Sequence, residues 1–239
     1  MGTIGIALQG VNRRIAAACI AAGRDVHGVT LLAVSKTLGA DAVREAWAAG
    51  QRAFGENYVQ EALAKIESLA DLRPGIEWHL IGPLQSNKTR PVAEQFDWVH
   101  SVDRLKIAER LAAQRPPGLP PLQVCLQVNV SGEATKSGLA PHDVPALALA
   151  VARLPRERLV LRGLMAIPEP AGDLAAQRAP HRALRELMAA LNEQGLGLDT
   201  LSMGMSGDLE AAVAEGSTMV RVGTAIFGAR GAANVGTRG

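Results

Sequence analysis

The sequence predicts an α/β protein folded as a single (β/α)8 TIM barrel. Three observations support this. Short apolar runs bounded by turn residues alternate with segments of helical periodicity along most of the chain. There are eight such runs, the strand number of the barrel. The length of 239 residues is close to the size of one barrel domain, about 250 residues. An open doubly wound sheet is the alternative for the same alternation. Apolar residues make up 48% of the chain and aromatics only 3%, so a sizeable core must be built from Ala, Leu, Val and Ile.

The chain opens with an extra helix before the first strand. Leu8, Val11, Ile15, Ala18 and Ala22 recur at helical spacing, so residues 4–22 form one amphipathic helix. Strands are then expected near 30–35, 52–55, 77–81, 97–100, 122–129, 159–166, 200–203 and 219–222. Helices fall between them near 40–49, 57–70, 86–95, 103–114, 142–153, 174–194 and 208–215. Pro116-Pro117-Gly118-Leu119-Pro120-Pro121 reads as a stiff helix-to-strand loop, and no Gly/Ser-rich linker divides the chain. Residues 1–239 are therefore expected to form one domain, with a frayed Gly/Ala-rich tail at 229–239.

Composition excludes several classes of function. The net charge of +2 is small and the basic residues are scattered, which argues against a dedicated nucleic-acid surface. Cys19 and Cys125 lack neighbours at metal-ligand spacing and read as reduced core residues of a cytoplasmic protein. No apolar run approaches the ~18 residues of a membrane span. The N-terminus lacks the pattern of a secretory signal, and Ile6 breaks the myristoylation pattern that Met1-Gly2 begins.

Lys36 carries the strongest chemical signal. It closes the apolar run Leu31-Leu32-Ala33-Val34-Ser35, and the chain has only five lysines (36, 65, 88, 106 and 136) against twenty arginines. The other four lie in polar or helical contexts. A lysine that is desolvated loses its proton readily and becomes the nucleophile of a Schiff base. The plainer reading is a lysine that caps a strand and snorkels to water. Reactive residues of a barrel gather at the C-terminal ends of its strands. Here those ends carry Ser35-Lys36, Gly55-Glu56-Asn57-Tyr58, His79 to Gly82, Asn129 to Gly138, Met165 to Pro168, Ser202 to Asp208 and Arg221 to Thr224.

Met203-Gly204-Met205-Ser206-Gly207-Asp208 leaves strand seven and opens a helix, exposing N–H groups to an anion. Gly223 and Thr224 repeat the arrangement after strand eight, and together the two turns point to a phosphate-bearing ligand. Arg221 alternates with Val220 and Val222 and must point to the opposite face. Inside a barrel its guanidinium needs an acceptor, either the ring nitrogen of a pyridine cofactor or a carboxylate such as Glu56. Three look-alikes fail. Gly82 to Thr89 lacks a Gly and one position of a nucleotide P-loop. Gly204 to Asp208 lacks the last Gly of a nucleophile elbow. The five histidines have no metal spacing.

The segments AVSKT at 33–37, FGENYVQE at 54–61, WHLIGPLQSNK at 78–88, VNVSGEATKSG at 128–138, GLMAI at 163–167, LSMGMSGD at 201–208 and EGSTMVRVGTAIFG at 215–228 resemble the pyridoxal phosphate homeostasis family. The resemblance implies a barrel of the alanine racemase type with pyridoxal 5′-phosphate (PLP) held as a Schiff base on Lys36. It further implies phosphate contacts from Ser206, Gly223 and Thr224, a ring-nitrogen contact from Arg221, and cofactor surroundings that include Asn57 and Met203. Gly207 stands where the family usually has another charged residue. The implied role is PLP homeostasis and delivery rather than catalysis, with apo-PLP enzymes as recipients and no metal, membrane or nucleic-acid partner. A monomer is expected. The alternative is an amino-acid racemase of the same barrel type, with weak side racemisation left open. Such racemases resemble this barrel but take a second acid/base tyrosine from a further C-terminal domain. The one tyrosine here is Tyr58. A ligand-free scaffold leaves Lys36 and Arg221 without a purpose.

Overall fold

The computed structural model describes residues 2–132 and 137–228. The expected frayed tail and Lys136 lie outside these residues. Eight strands form a closed parallel barrel in sequence order: β1 (Thr30–Val34), β2 (Ala53–Glu56), β3 (Glu77–Leu80), β4 (Trp98–Val102), β5 (Leu122–Gln127), β6 (Leu159–Met165), β7 (Thr200–Ser202) and β8 (Met219–Val222). β8 pairs with β1, with Leu32 opposite Arg221 and Ala33 opposite Val222, so no sheet edge remains. Each strand sits within two residues of its predicted place.

The helices are α1 (Thr3–Ala21), α2 (Ala40–Ala48), α3 (Val59–Ser68), α4 (Thr89–Gln95), α5 (Leu105–Gln114), α6 (Val144–Ala152), α7 (Leu174–Glu193), α8 (Leu209–Ala214) and α9 (Thr224–Phe227). Predicted ends at 57–58, 69–70 and 86–88 were too generous. Residues 70–75 and 86–88 are 3₁₀ turns, the first containing Pro74. α9 was not predicted, because four residues carry no readable periodicity.

α8 and α9 have only six and four residues, too short to cover the outer face of β8 and β1. α1 fills that role. Its buried stripe Leu8, Val11, Ile15, Ala18 and Cys19 joins the same apolar layer as Leu31, Ala33, Val220 and Val222. The extra helix is thus the outer wall of the seam where the barrel closes.

The strands are buried on both faces. Their outward residues form the main core against the helices. Inward apolar residues are few: Leu32, Ala53, Ile81 and Met219 in one cluster, Trp98, Cys125 and Met165 in another. The remaining interior carries His79, His100, Ser202 and Arg221, all buried. Gly163 on β6 lies against β7, and a Cβ there would sit 1.8 Å from the Thr200 carbonyl oxygen. Gly163→Ala should therefore force the two strands apart and cost about 1–3 kcal/mol. A fall in the urea midpoint at unchanged slope measures it.

Candidate functional site

Strand register brings the predicted residues to one sector of the C-terminal rim. Val34 is paired with Gly55 and Ala33 with Val222. Lys36, Asn57, Gly223 and Thr224 therefore leave adjacent strands at nearly the same level. β7 completes the sector, and Arg221 N–H donates to the Gly204 carbonyl at 2.9 Å. Lys36 continues the inward face of Leu32 and Val34 by two-residue alternation. Met203 departs from this grouping. Its side chain is fully buried in the outer apolar layer, and its carbonyl accepts from Ser217 Oγ at 2.7 Å.

Lys36 is not the desolvated lysine of this site. It lies just past β1 and is half-buried, with no hydrogen bond from its amine among the described residues. The buried lysine is Lys65 of α3, which is 5% exposed. Its three N–H groups meet the Ser35 carbonyl at 2.8 Å, Glu56 Oε1 at 2.6 Å and Glu61 Oε1 at 3.2 Å. An ammonium has three donors, so this one is saturated and offers no lone pair. Ser35 Oγ donates to the same Glu56 oxygen at 2.6 Å, while Glu56 Oε2 is buried without a partner. Burial pushes the Glu56 carboxyl up, with the Lys65 charge opposing. Sequence reasoning passed over Lys65 as a helical lysine. The available signal was its place on the buried stripe Val59, Ala62, Lys65, Ile66.

Arg221 does point into the barrel, but Glu56 is not its partner. One nitrogen, Nη1, donates to the Ser202 carbonyl and, at 2.8 Å, to Ser202 Oγ, while Nη2 donates to the Ala166 carbonyl at 2.7 Å. The guanidinium thus ties β8 to β7 and to the end of β6. Burial lowers its pKa to about 10, so it stays charged at neutral pH. Two of its five N–H groups are not used in these three bonds.

Beyond Ser202 runs a polar chain that no motif announced. His100 Nδ1 lies 2.8 Å from Ser202 Oγ, and His100 Nε2 lies 3.0 Å from His79 Nδ1. Arg221 can only donate. Ser202 Oγ accepts from it and is free to donate to His100 Nδ1. His100 then carries its proton on Nε2 and donates to His79. His79 Nε2 faces Glu77 Oε2 at 3.6 Å. Burial holds the His100 pKa well below its ordinary value, with the charges of His79 and Arg221 adding to the effect, so the ring is neutral. Trp98 stacks on His79 with ring centroids 5.4 Å apart.

The loop after β7 is built to present N–H groups. Gly204 has φ 95°, and Met205 N–H donates to Asp208 Oδ1 at 2.6 Å. Burial pushes the Asp208 carboxyl up, but hydrogen bonds from His181 and the Met205 N–H hold it below its ordinary value. Arg14 of α1 anchors the loop from outside through the Ser206 carbonyl at 3.1 Å. The N–H groups of Ser206 and Gly207 are unpaired among the described residues. The short α8 and α9 have little macrodipole, so local N–H groups, not a long helix, favour an anion here.

A cavity of about 250 Å³ opens at this rim, lined by Asn57, Ile81, Gly82, Gln127, Val128 and Ile167 among others. Asn57 Oδ1 is buried without a partner. Gly82 is required beside it, since a Cβ there would lie 2.1 Å from the Asn57 carbonyl oxygen. A larger depression of about 970 Å³ lies at the opposite, N-terminal end. Its arginines are engaged: Arg73 with Asp97, Arg162 with Asp199, and Arg115 with three backbone carbonyls.

The model of the alanine racemase N-terminal domain family matches residues 12–231. The pyridoxal phosphate homeostasis protein of Pseudomonas aeruginosa is 67% identical over 230 residues, covering 96% of this chain and 97% of the relative. The chain belongs to the alanine racemase N-terminal domain family and, within it, to the pyridoxal phosphate homeostasis proteins. The Escherichia coli K12 member of that name is 54% identical over 231 residues, covering 96% of this chain and 98% of the relative. Among solved structures, PipY of Synechococcus elongatus with PLP bound is 46% identical, with a TM-score of 0.77, over 84% of this chain and 93% of that one. Alanine racemase from Corynebacterium glutamicum shares the fold at 18% identity and a TM-score of 0.63, over 95% of this chain but 63% of the racemase. The Pseudomonas aeruginosa and Escherichia coli relatives share the name pyridoxal phosphate homeostasis protein. Among the described residues no helix is long and apolar enough to cross a membrane.

Lys65→Met should leave the Glu56 carboxylate buried and uncompensated, costing about 3–5 kcal/mol. Lys65→Met/Glu56→Gln should recover much of that. In the single variant the folded state binds a proton at Glu56 more readily than the unfolded state does. Its stability should therefore fall as pH rises above the ordinary glutamate value of 4.5 and recover on acidification. Urea melts of both variants across pH measure this.

Proposed function

We propose that this protein binds PLP as a Schiff base on Lys36 and serves cytoplasmic PLP homeostasis and delivery, without catalytic turnover of its own. The bound group supplies an aldehyde, which condenses with an amine with loss of water, and a ring that can accept electrons. One observation carries the reading: an amine at Lys36, without a hydrogen bond among the described residues and just past β1, lies next to the strand of the fixed Arg221 guanidinium and beside unpaired loop N–H groups. These residues fit the cofactor. Asn57 Oδ1 is an acceptor without a partner at the rim. Arg221 retains N–H groups for a ring nitrogen. Ser206, Gly207, Gly223 and Thr224 present donors and a close backbone for the phosphate, and a Cβ on Gly223 would lie 3.1 Å from the Val34 carbonyl oxygen. Met203 serves by anchoring the loop. PLP bound to the PipY structure and the naming of the relatives support the same assignment.

The physics of Arg221 favours a carrier. It never surrenders its proton at neutral pH, so a ring nitrogen beside it stays unprotonated and the ring is a weak electron sink. A racemase needs acid/base groups on both faces of its substrate. Tyr58, the one tyrosine, is 57% exposed at the start of α3, just after the strand next to that of Lys36. General acid–base groups are worth about 100- to 10,000-fold each, so turnover should fall far below about 1 per second. Apo-PLP enzymes are the proposed recipients, and the proposed state is a monomeric single domain.

Lys36→Ala should abolish the visible absorbance of the PLP-loaded protein while leaving the fold intact. Borohydride reduction and peptide mapping should label Lys36, whereas a label on Lys65, Lys88 or Lys136 with Lys36 clean refutes the assignment. Ser206→Ala should weaken retention by about 1.5–3 kcal/mol, and pyridoxal lacking its phosphate should bind more weakly than PLP. The loaded protein should reactivate an apo-aminotransferase and leave L- and D-amino acids unracemised. Rapid racemisation without transfer would instead establish the enzyme.

A further inference from the structure

Lys36 lies between two peptide groups, and side chains of α3 hold both. Upstream, the Ser35 carbonyl accepts from Lys65 Nζ at 2.8 Å. Downstream, Thr37 N–H donates to Glu61 Oε1 at 2.6 Å. The same Glu61 oxygen accepts from Lys65 at 3.2 Å, so the two holding groups brace each other across one turn of the helix. Thr37 has φ 66°, the only positive φ outside glycine among the described residues. A β-branched residue disfavours that region, and such a conformation persists only where its surroundings impose it. Thr37 is exposed, so core packing does not impose it. The Ser35–Leu38 turn requires it, closed by Leu38 N–H to the Ser35 carbonyl at 3.1 Å, and the bond from Thr37 N–H to Glu61 holds it there.

We propose that Glu61 and Lys65 are positioning residues for Lys36: they hold the Ser35–Leu38 turn, with Thr37 at positive φ, in the conformation that directs the Lys36 amine inward at the C-terminal rim. The proposal rests on Lys36 as the attachment point for PLP. Without the Glu61 bond, Thr37 relaxes to negative φ, the following peptide rotates, and Lys36 loses the inward direction set by Leu32 and Val34. The arrangement also separates the two neighbouring lysines by role. Lys65 spends all three donors on holding the turn, and Lys36 is left free to react.

The test is a PLP titration of the full-length protein and its variants, followed by visible absorbance and by cofactor retention on dialysis, with thermal melts to confirm folding. Glu61→Ala should bind PLP about 5- to 30-fold more weakly. Glu61→Gln keeps an acceptor oxygen for Thr37 and should stay within about three-fold of the parent. Thr37→Gly/Glu61→Ala should recover most of the loss, because glycine takes positive φ without steric cost. Unchanged affinity in Glu61→Ala overturns the proposal. So does a Glu61→Gln variant as weak as Glu61→Ala, or a double variant that recovers nothing. Lys36→Ala separates this from the underlying reading. A visible band that survives it overturns the attachment site and the proposal together, while a lost band with unaffected Glu61→Ala overturns the positioning role alone.

Discussion

A closed eight-stranded barrel leaves its inward side chains almost no water to bond with. Every polar group that points inward must find its partner inside, or bear the cost of an unpaired buried group. Most of the chemistry of this molecule follows from that constraint. Inside the barrel, three of the five Arg221 N–H groups are met by two backbone carbonyls and a serine. Arg221 donates to Ser202 Oγ, which bonds His100, which in turn bonds His79. Burial keeps His100 a neutral link in this chain. Among the described residues no group of three metal-ligating side chains exists.

The same constraint sorts two lysines of equal intrinsic chemistry. Lys65 is deep and fully bonded, so its charge is stabilised and its nitrogen is chemically silent. Lys36 stands at the rim with its amine uncommitted. Burial alone would nominate Lys65, whose three donors are all engaged. What distinguishes them is the count of acceptors within reach, which is three for one and none among the described residues for the other.

The barrel itself could be read from the sequence because its strands are brief apolar runs between Gly, Pro and polar turns, a pattern that needs no tertiary information. The rim residues could be read for a related reason: strand ends are where a barrel places its chemistry, and Lys36, Asn57, Ser206 and Arg221 each stood at one. Lys65 was hidden because its burial depends on Glu56, nine positions upstream, and on Ser35, thirty upstream. The chain from Arg221 to His79 was hidden more completely. It joins β8, β7, β4 and β3, with separations of 19, 102 and 21 residues between successive partners. Met203 was assigned to the site from its neighbours in a motif, but its alternation places it on the outer face with Val220.

The pairing of β1 with β8 also orders events during synthesis. Lys36 is made well before Arg221, Gly223 and Thr224, which follow it by more than 180 residues. Until β8 emerges, β1 has an open edge and α1 has no seam to cover. A nascent chain therefore carries the amine long before it carries the rest of the pocket. A reactive aldehyde that met the exposed lysine at that stage would find nothing to retain it. The full set of rim groups is a property of the closed barrel, and a chain that ended before β8 would carry Lys36 without it.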